Sequence, residues 1–262
     1  MTANPPSVCC TVGYKHSGNP VGKIIKLGSL DAYIATPSAE KSHKDAAILY
    51  LGDVLGMTVN AKLMADQFAA NGYLTIIPDQ FNTDCLPPNV TPDFDFLGWI
   101  NKGTDGDNPH TTKEVDPVVS RCIEYLRNEH GVRRVGALGY CFGAKYVCRF
   151  LKGGSLVDVG YLAHPSFVSE EEVKGIKGPI SIAAAEDDFI FTEELRHSTE
   201  RLLRETSCPY EMTVYSGVSH GFAIRSDLTN PVSKWATEAA FMQAVHFMDN
   251  WLLTDKGAGS RL

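Results

Sequence analysis

Short runs of aliphatic and β-branched residues alternate with stretches of helical periodicity along most of the chain, and nothing else in the sequence constrains the fold as much. The β-rich runs are Lys23–Leu27, Asp31–Thr36, Ala46–Leu51, Tyr73–Ile77, Arg134–Leu138, Val157–Leu162, Ile180–Ala184 and Glu211–Tyr215. Strands separated by helices pair in parallel, because a helix must carry the chain back across the sheet before the next strand can start. The later runs are uniformly apolar, as strands buried on both faces must be. Only Gly28-Ser29 separates the first two, so these form an antiparallel hairpin. The expectation is an α/β protein with a mostly parallel central sheet of about eight strands, flanked by helices on both faces. A length of 262 residues suits one such domain.

Helical spacing is clearest at Val119, Cys122, Ile123 and Leu126, and again at Phe241, Val245, Met248 and Leu252. Asp116-Pro117 reads as the start of the first of these helices, and Gly131 as its end. Two segments stand outside the alternation. Residues 1–22 form an N-terminal extension. Residues from about 79 to 111 lack a clear strand, yet Phe94, Phe96, Leu97, Trp99 and Ile100 make them too aromatic for disorder. That segment is a lid, a pocket wall or a packed surface excursion.

Composition removes several functions. The net charge of -7 argues against nucleic acid and anionic membrane surfaces as partners, and no apolar run reaches membrane-spanning length. The first residues have neither a basic leader nor an apolar core, so a cytoplasmic protein is expected. The 7 cysteines are scattered, without a C-x-x-C pair, which points to reduced thiols. Cysteine and histidine lack zinc-like spacing, so no metal or other cofactor is expected.

Gly139-Tyr140-Cys141-Phe142-Gly143 carries the chemistry. It follows the run Arg134–Leu138 and precedes a helical stretch, the strand–turn–helix context of the nucleophile elbow of α/β-hydrolases. Glycines two positions either side relieve the crowding of a sharply turned backbone. Here the central residue is a thiol, and free N–H groups at a helix start favour its thiolate. The alternative is a buried structural cysteine. Further on, a strand ends in Glu186-Asp187-Asp188; either aspartate could orient a histidine, and either could instead cap the helix beginning near Thr192. Later still, Ser219-His220-Gly221 follows a strand and places His220 as a general base. The order nucleophile, acid, histidine is that of α/β-hydrolases. Gly52-Asp53-Val54 follows an early strand, where a backbone N–H commonly serves an oxyanion hole, so the N–H groups of Val54 and Phe142 are the candidates. Asp53 beside the thiol would raise its pKa unless the carboxylate turns away.

Together these motifs, with GYLTIIPDQF at residues 72–81 and Cys9-Cys10…Gly13…His16…Gly18…Pro20…Gly22, resemble the dienelactone hydrolase (carboxymethylenebutenolidase) family in its fungal branch. The resemblance runs from about Gly22 to Leu252. It implies the α/β-hydrolase fold and a Cys-His-Asp triad of Cys141, His220 and Asp187. Asp187 is preferred to Asp188 because the family places the acid just before an x-Phe-Val/Ile stretch. It implies an oxyanion hole at Val54 and Phe142, and sets Asp53 where the family has a glutamate that contacts the resting nucleophile. Tyr140 and Arg225 become candidate substrate-binding residues. Two departures matter. Thr83 stands where bacterial members carry a substrate-binding arginine, and Arg225 lies one position out of register with a second. A carboxylate-bearing dienelactone and a neutral lactone or ester therefore both stay open.

The implied reaction is hydrolysis of a carboxylic ester, foremost a lactone, through an acyl-thioester, with the small-molecule substrate as partner. Two readings compete with it. A non-catalytic binding protein of the same fold would hold a ligand without turning it over. A redox-active thiol would need a resolving cysteine, and the nearest downstream, Cys148, lies about two helical turns from Cys141, too far to serve. Transfer of the acyl group to an acceptor other than water uses the same residues. His164-Pro165-Ser166, after a strand, is either pocket lining or a turn.

Overall fold

In a computed structural model, which describes residues 1–152 and 157–254, the expected alternation closes into one eight-stranded sheet. The strands are β1 (Lys23–Leu27), β2 (Leu30–Ala35), β3 (Ala46–Leu51), β4 (Leu74–Pro78), β5 (Arg134–Tyr140), β6 (Val159–Ala163), β7 (Ile180–Asp187) and β8 (Tyr210–Ser219). They lie in the order β1-β2-β4-β3-β5-β6-β7-β8. β1 and β2 form the antiparallel hairpin and β2 pairs antiparallel with β4; every later pairing is parallel. All eight expected runs are strands. The largest boundary changes lengthen β7 and β8, both at the end that bears functional residues.

The helices are α1 (Val59–Ala70), α2 (Phe96–Lys102), α3 (Thr112–His130), α4 (Gly143–Phe150), α5 (Glu170–Lys174), α6 (Glu193–Thr206), α7 (Phe222–Arg225) and α8 (Pro231–Leu252). They cover both faces of the sheet. Successive strand residues point to opposite faces, and β3 shows the result. Ala47, Leu49 and Leu51 join a core layer with Val119 and Leu126 of α3 and Val147 of α4. Ala46, Ile48 and Tyr50 join a second layer with Phe68 of α1 and Ala244 of α8. Among the described residues no helix is long and apolar enough to cross a membrane.

The expected start of α3 at Asp116-Pro117 is corrected. The helix begins at Thr112, and the Thr111 hydroxyl caps it by accepting the Lys113 N–H. Asp116 does not cap; its carboxylate receives the Arg149 guanidinium, and Pro117 sits inside the helix. The other end agrees with expectation, since Gly131 closes the helix at φ 65°. In the segment 79–111, α2 is capped by the Asp95 carboxylate, which accepts the Gly98 N–H. Its aromatic residues pack inward: Phe81 lies 5.1 Å from Trp99 and 5.3 Å from Phe142, centroid to centroid. This segment therefore walls one side of the turn after β5.

That turn is the point on which the site is built. β5 ends at Tyr140, Cys141 takes φ 51°, and α4 starts two residues later. A side chain beyond Cβ is held there at a cost of about 1–3 kcal/mol. Hydrogen bonds fix the bend: Cys141 N–H donates to the Ala163 carbonyl, and the Cys141 carbonyl accepts from Ala144 and Ser166. The flanking glycines are required by close approach. A Cβ on Gly143 would stand 2.1 Å from the Leu51 carbonyl oxygen, and one on Gly139 2.6 Å from Ala144 Cα. Gly143→Ala is accordingly expected to cost about 1–3 kcal/mol and lower Tm by roughly 2–10 °C. Gly52→Ala, whose Cβ would meet nothing closer than 3.5 Å, should leave Tm nearly unchanged in the same melt.

Candidate active site

The carboxyl ends of β5, β7 and β8 deliver a thiol, a carboxylate and an imidazole to one place. His220 follows β8 directly. Its Nδ1 lies 2.9 and 3.0 Å from the two oxygens of Asp188, which also accepts the Ile190 N–H at 2.8 Å and the Phe191 N–H at 3.0 Å. The acid touching the histidine is thus Asp188, and the expectation of Asp187 is corrected by one residue. Asp187 is the exposed last residue of β7, paired with Ser219 beyond a register shift. After that irregularity the chain turns Asp188 inward and leaves its neighbour facing out. Burial would raise the Asp188 pKa, but the His220 hydrogen bond and charge and the two N–H donors bring it below the ordinary carboxylate value.

The other ring nitrogen of His220 faces sulfur. Cys141 is fully buried, and so is Cys10, carried in by a short turn of helix at Val8–Cys10 in the N-terminal extension. The two sulfurs are 3.3 Å apart, and Cys10 Sγ is 3.5 Å from His220 Nε2. Burial opposes ionisation of Cys141, yet the Cys10 contact and the charges of His220 and Arg225 hold its pKa well below that of an ordinary thiol. Cys10 moves the other way. Burial and the neighbouring sulfurs push it well up, so the proton stays there. His220 responds to the thiolate. Burial lowers its pKa, but the Cys141 charge and the Asp188 hydrogen bond carry it to about 10. These directions favour the charged form of both Cys141 and His220, and the neutral form of Cys10.

Cys10, Cys141 and His220 are also the group that could hold a metal ion among the described residues, their donor atoms lying within 4.8 Å of one another. An ion bound there would occupy both sulfurs and the imidazole.

Asp53 does not spend its carboxylate on the thiol. It accepts the Leu55 N–H at 2.9 Å and forms a buried ion pair with Arg225. Arg225 in turn donates to the carbonyls of Val12 at 3.1 Å and Cys9 at 3.3 Å. The candidate substrate-binding arginine therefore ties the N-terminal extension to the loop after β3. Removing either partner of so buried a pair typically costs about 3–5 kcal/mol. Above the site, Cys9, Tyr14, Asp187, His220 and Arg225 line a groove of ≈ 410 Å³.

Two residues of the His164-Pro165-Ser166 stretch, read from the sequence as pocket lining or a turn, also belong here. Ser166 Oγ lies 3.5 Å from Cys141 Sγ. His164 is fully buried and packs edge-on against the His220 ring at 4.9 Å. Neither ring nitrogen of His164 has a partner among the described residues. Burial and the nearby charges of His220 and Arg225 drive its pKa well down, so it is a neutral wall. Val54 and Phe142 are fully buried, and among the described residues neither backbone N–H donates to a protein acceptor. Buried N–H groups left without an acceptor are rare, and they suit a site where an anion develops.

The profile of the dienelactone hydrolase family matches residues 30–252. The chain belongs to that family. It is 41% identical over 255 residues to Hydrolase tropI of Talaromyces stipitatus, covering 96% of this chain and 99% of that protein. Hydrolase pyvD of Aspergillus violaceofuscus is 40% identical over 253 residues, with the same coverage. The fold matches a crystal structure from Klebsiella pneumoniae with a TM-score of 0.72, at 12% identity, over 88% of this chain and 99% of that one. Membership makes this dienelactone hydrolase-family chain a hydrolase of carboxylic esters or lactones.

Against the family pattern, Tyr140 is corrected. Its ring points into the second core layer, stacked on Tyr50 at 4.8 Å, and cannot face a substrate. It is the last residue of β5 and alternation turns it away from the layer that takes Cys141. Asp188 and Asp187 supply a direct test. Asp188→Asn is expected to lower kcat for a p-nitrophenyl ester by at least about 10²-fold, whereas Asp187→Asn should stay within about twofold. Steady-state kinetics on the two purified variants decides which aspartate serves the histidine.

Proposed function

We propose that this member of the dienelactone hydrolase family hydrolyses a lactone or another carboxylic ester through a covalent thioester on Cys141, with His220 as acid and base and Asp188 as its orienting carboxylate. The observation that carries the reading is the Asp188 carboxylate on His220 Nδ1, which turns Nε2 toward the sulfurs. The Cys141 thiolate attacks the carbonyl carbon. The oxygen that becomes negative is held by the Val54 and Phe142 N–H groups, each such donor being worth about 10²–10³ in rate. Collapse expels the alkoxide, which takes the Nε2 proton of His220. In a lactone that alkoxide stays attached as the far end of the acyl chain.

Acylation also resets the base. The thiolate charge is the largest influence holding His220 at about 10, and thioester formation removes it. Imidazole then falls toward its ordinary range and can take a proton from water, which attacks the thioester and releases the acid. One charge thus serves twice, as nucleophile and as the control on its own base.

For the substrate, the Arg225 guanidinium is engaged by Asp53 and by the Val12 and Cys9 carbonyls, which favours a neutral lactone or ester over one bearing a carboxylate. Kinetics on matched neutral and carboxylate-bearing lactones test this, with kcat/KM expected to be higher for the neutral one.

The pKa directions set a pH profile. Cys141 is held low and His220 is raised to about 10, so the charged pair exists between those limits. The kcat/KM for a neutral ester should fall on the acid side as Cys141 takes up a proton, at a pH below the ordinary thiol range, and fall again near pH 10 as His220 loses its proton. The Asp188 hydrogen bond contributes to the upper limit, so Asp188→Asn should move the alkaline limb downward. Cys141→Ala should abolish turnover. An unchanged rate in that variant would end the thioester reading.

A further inference from the structure

The thioester reading uses Cys141 but assigns nothing to the second sulfur in the site. Cys10 approaches Cys141 to 3.3 Å, and both side chains are fully buried. An S–S bond of about 2.05 Å requires the pair to close by a little over an ångström. The segment that delivers Cys10 is fixed at both ends. Thr2 and Ala3 N–H groups donate to the Val168 carbonyl, and Arg225 grips the carbonyls of Cys9 and Val12. The thiol is therefore placed against the nucleophile by the fold. The other buried thiols offer no rival, since burial keeps Cys122 and Cys148 protonated, and neither sulfur touches the site.

We propose that Cys10 is the resolving thiol for Cys141. Oxidation of Cys141 by a hydroperoxide ends in a Cys10–Cys141 disulfide that switches the hydrolase off until a thiol reductant opens it. The inference rests on the proposed role of Cys141 as the nucleophile and on the 3.3 Å approach of the two sulfurs. In the first step the Cys141 thiolate attacks the distal oxygen of the hydroperoxide and the O–O bond breaks. Cys141 becomes a sulfenic acid, and the departing alkoxide or hydroxide takes the proton of His220 Nε2. In the second step Cys10 sulfur attacks the sulfenic sulfur. Its proton passes to His220, 3.5 Å away, and on to the hydroxyl that leaves as water. Two electrons have moved from the sulfur pair to the peroxide. The product removes the nucleophile and staples the N-terminal segment over the site. It also protects Cys141 from irreversible oxidation to the sulfinic acid.

The test uses the full chain treated with one equivalent of hydrogen peroxide, read by peptide mass spectrometry and by p-nitrophenyl butyrate hydrolysis. The expected result is a mass loss of about 2 Da, a tryptic peptide joining the Cys10 and Cys141 segments, and at least a tenfold or so loss of rate restored by dithiothreitol. Cys9→Ser is expected to keep the cross-link, which separates it from a Cys9–Cys10 bond. Cys10→Ser should instead gain about 16 or 32 Da on Cys141, with no recovery of its own starting rate after sulfinic acid forms. A native chain that loses activity to peroxide but shows no Cys10–Cys141 peptide overturns the proposal. If Cys10→Ser does not fold, the native peptide map decides alone. The cross-link is read independently of turnover, so a chain that forms the disulfide but hydrolyses no ester fails the hydrolase reading and upholds the redox pairing.

Discussion

Gathering a thiol, an imidazole and the charges that balance them where water does not reach is the demand that organises this molecule. An isolated buried anion is unstable by many kcal/mol and takes up a proton instead. Here the charges of His220 and Arg225 and the contact with Cys10 favour the charged form of Cys141, while burial and the neighbouring sulfurs favour the neutral form of Cys10. Each of those supports has its own. Asp188 with two backbone N–H donors steadies His220, and Asp53 balances Arg225. The strands matter as the frame that brings these charges from distant positions to one edge of the sheet.

Much of that frame was legible in the residues. Apolar runs of strand length gave all eight strands, and the two faces of β3 follow from simple alternation. The elbow was readable because its glycines have a local cause, the approach of Gly143 to the Leu51 carbonyl. His220 was readable because it directly follows a strand. Where the sequence misled, an interaction beyond the local pattern had taken over. The shift near the end of β7 exchanged Asp187 for Asp188, and period-two alternation does not reveal such a shift. Arg149 claimed Asp116 from across the fold and let Thr111 start α3 earlier.

Cys10 was the least legible of all. Its contact with Cys141 spans 131 positions, and no periodicity or spacing encodes a contact of that range. The Cys9-Cys10 pair did stand out in the family resemblance, so the signal existed without a mechanism attached. Ser166 and His164 were similarly visible as residues after a strand. What the fold adds is that His164 offers His220 a neutral, unpaired ring edge, a surface that adds no competing charge to the pair.

Chain ends usually tolerate trimming, tagging and sequence drift, because little depends on them. Here the first fourteen residues supply part of the lining of the groove, a thiol against Cys141 and two carbonyls that hold Arg225. An affinity tag fused directly ahead of Met1 would stand beside the anchoring bonds of Thr2 and Ala3, whereas one placed after α8 starts at the far end of the chain from them.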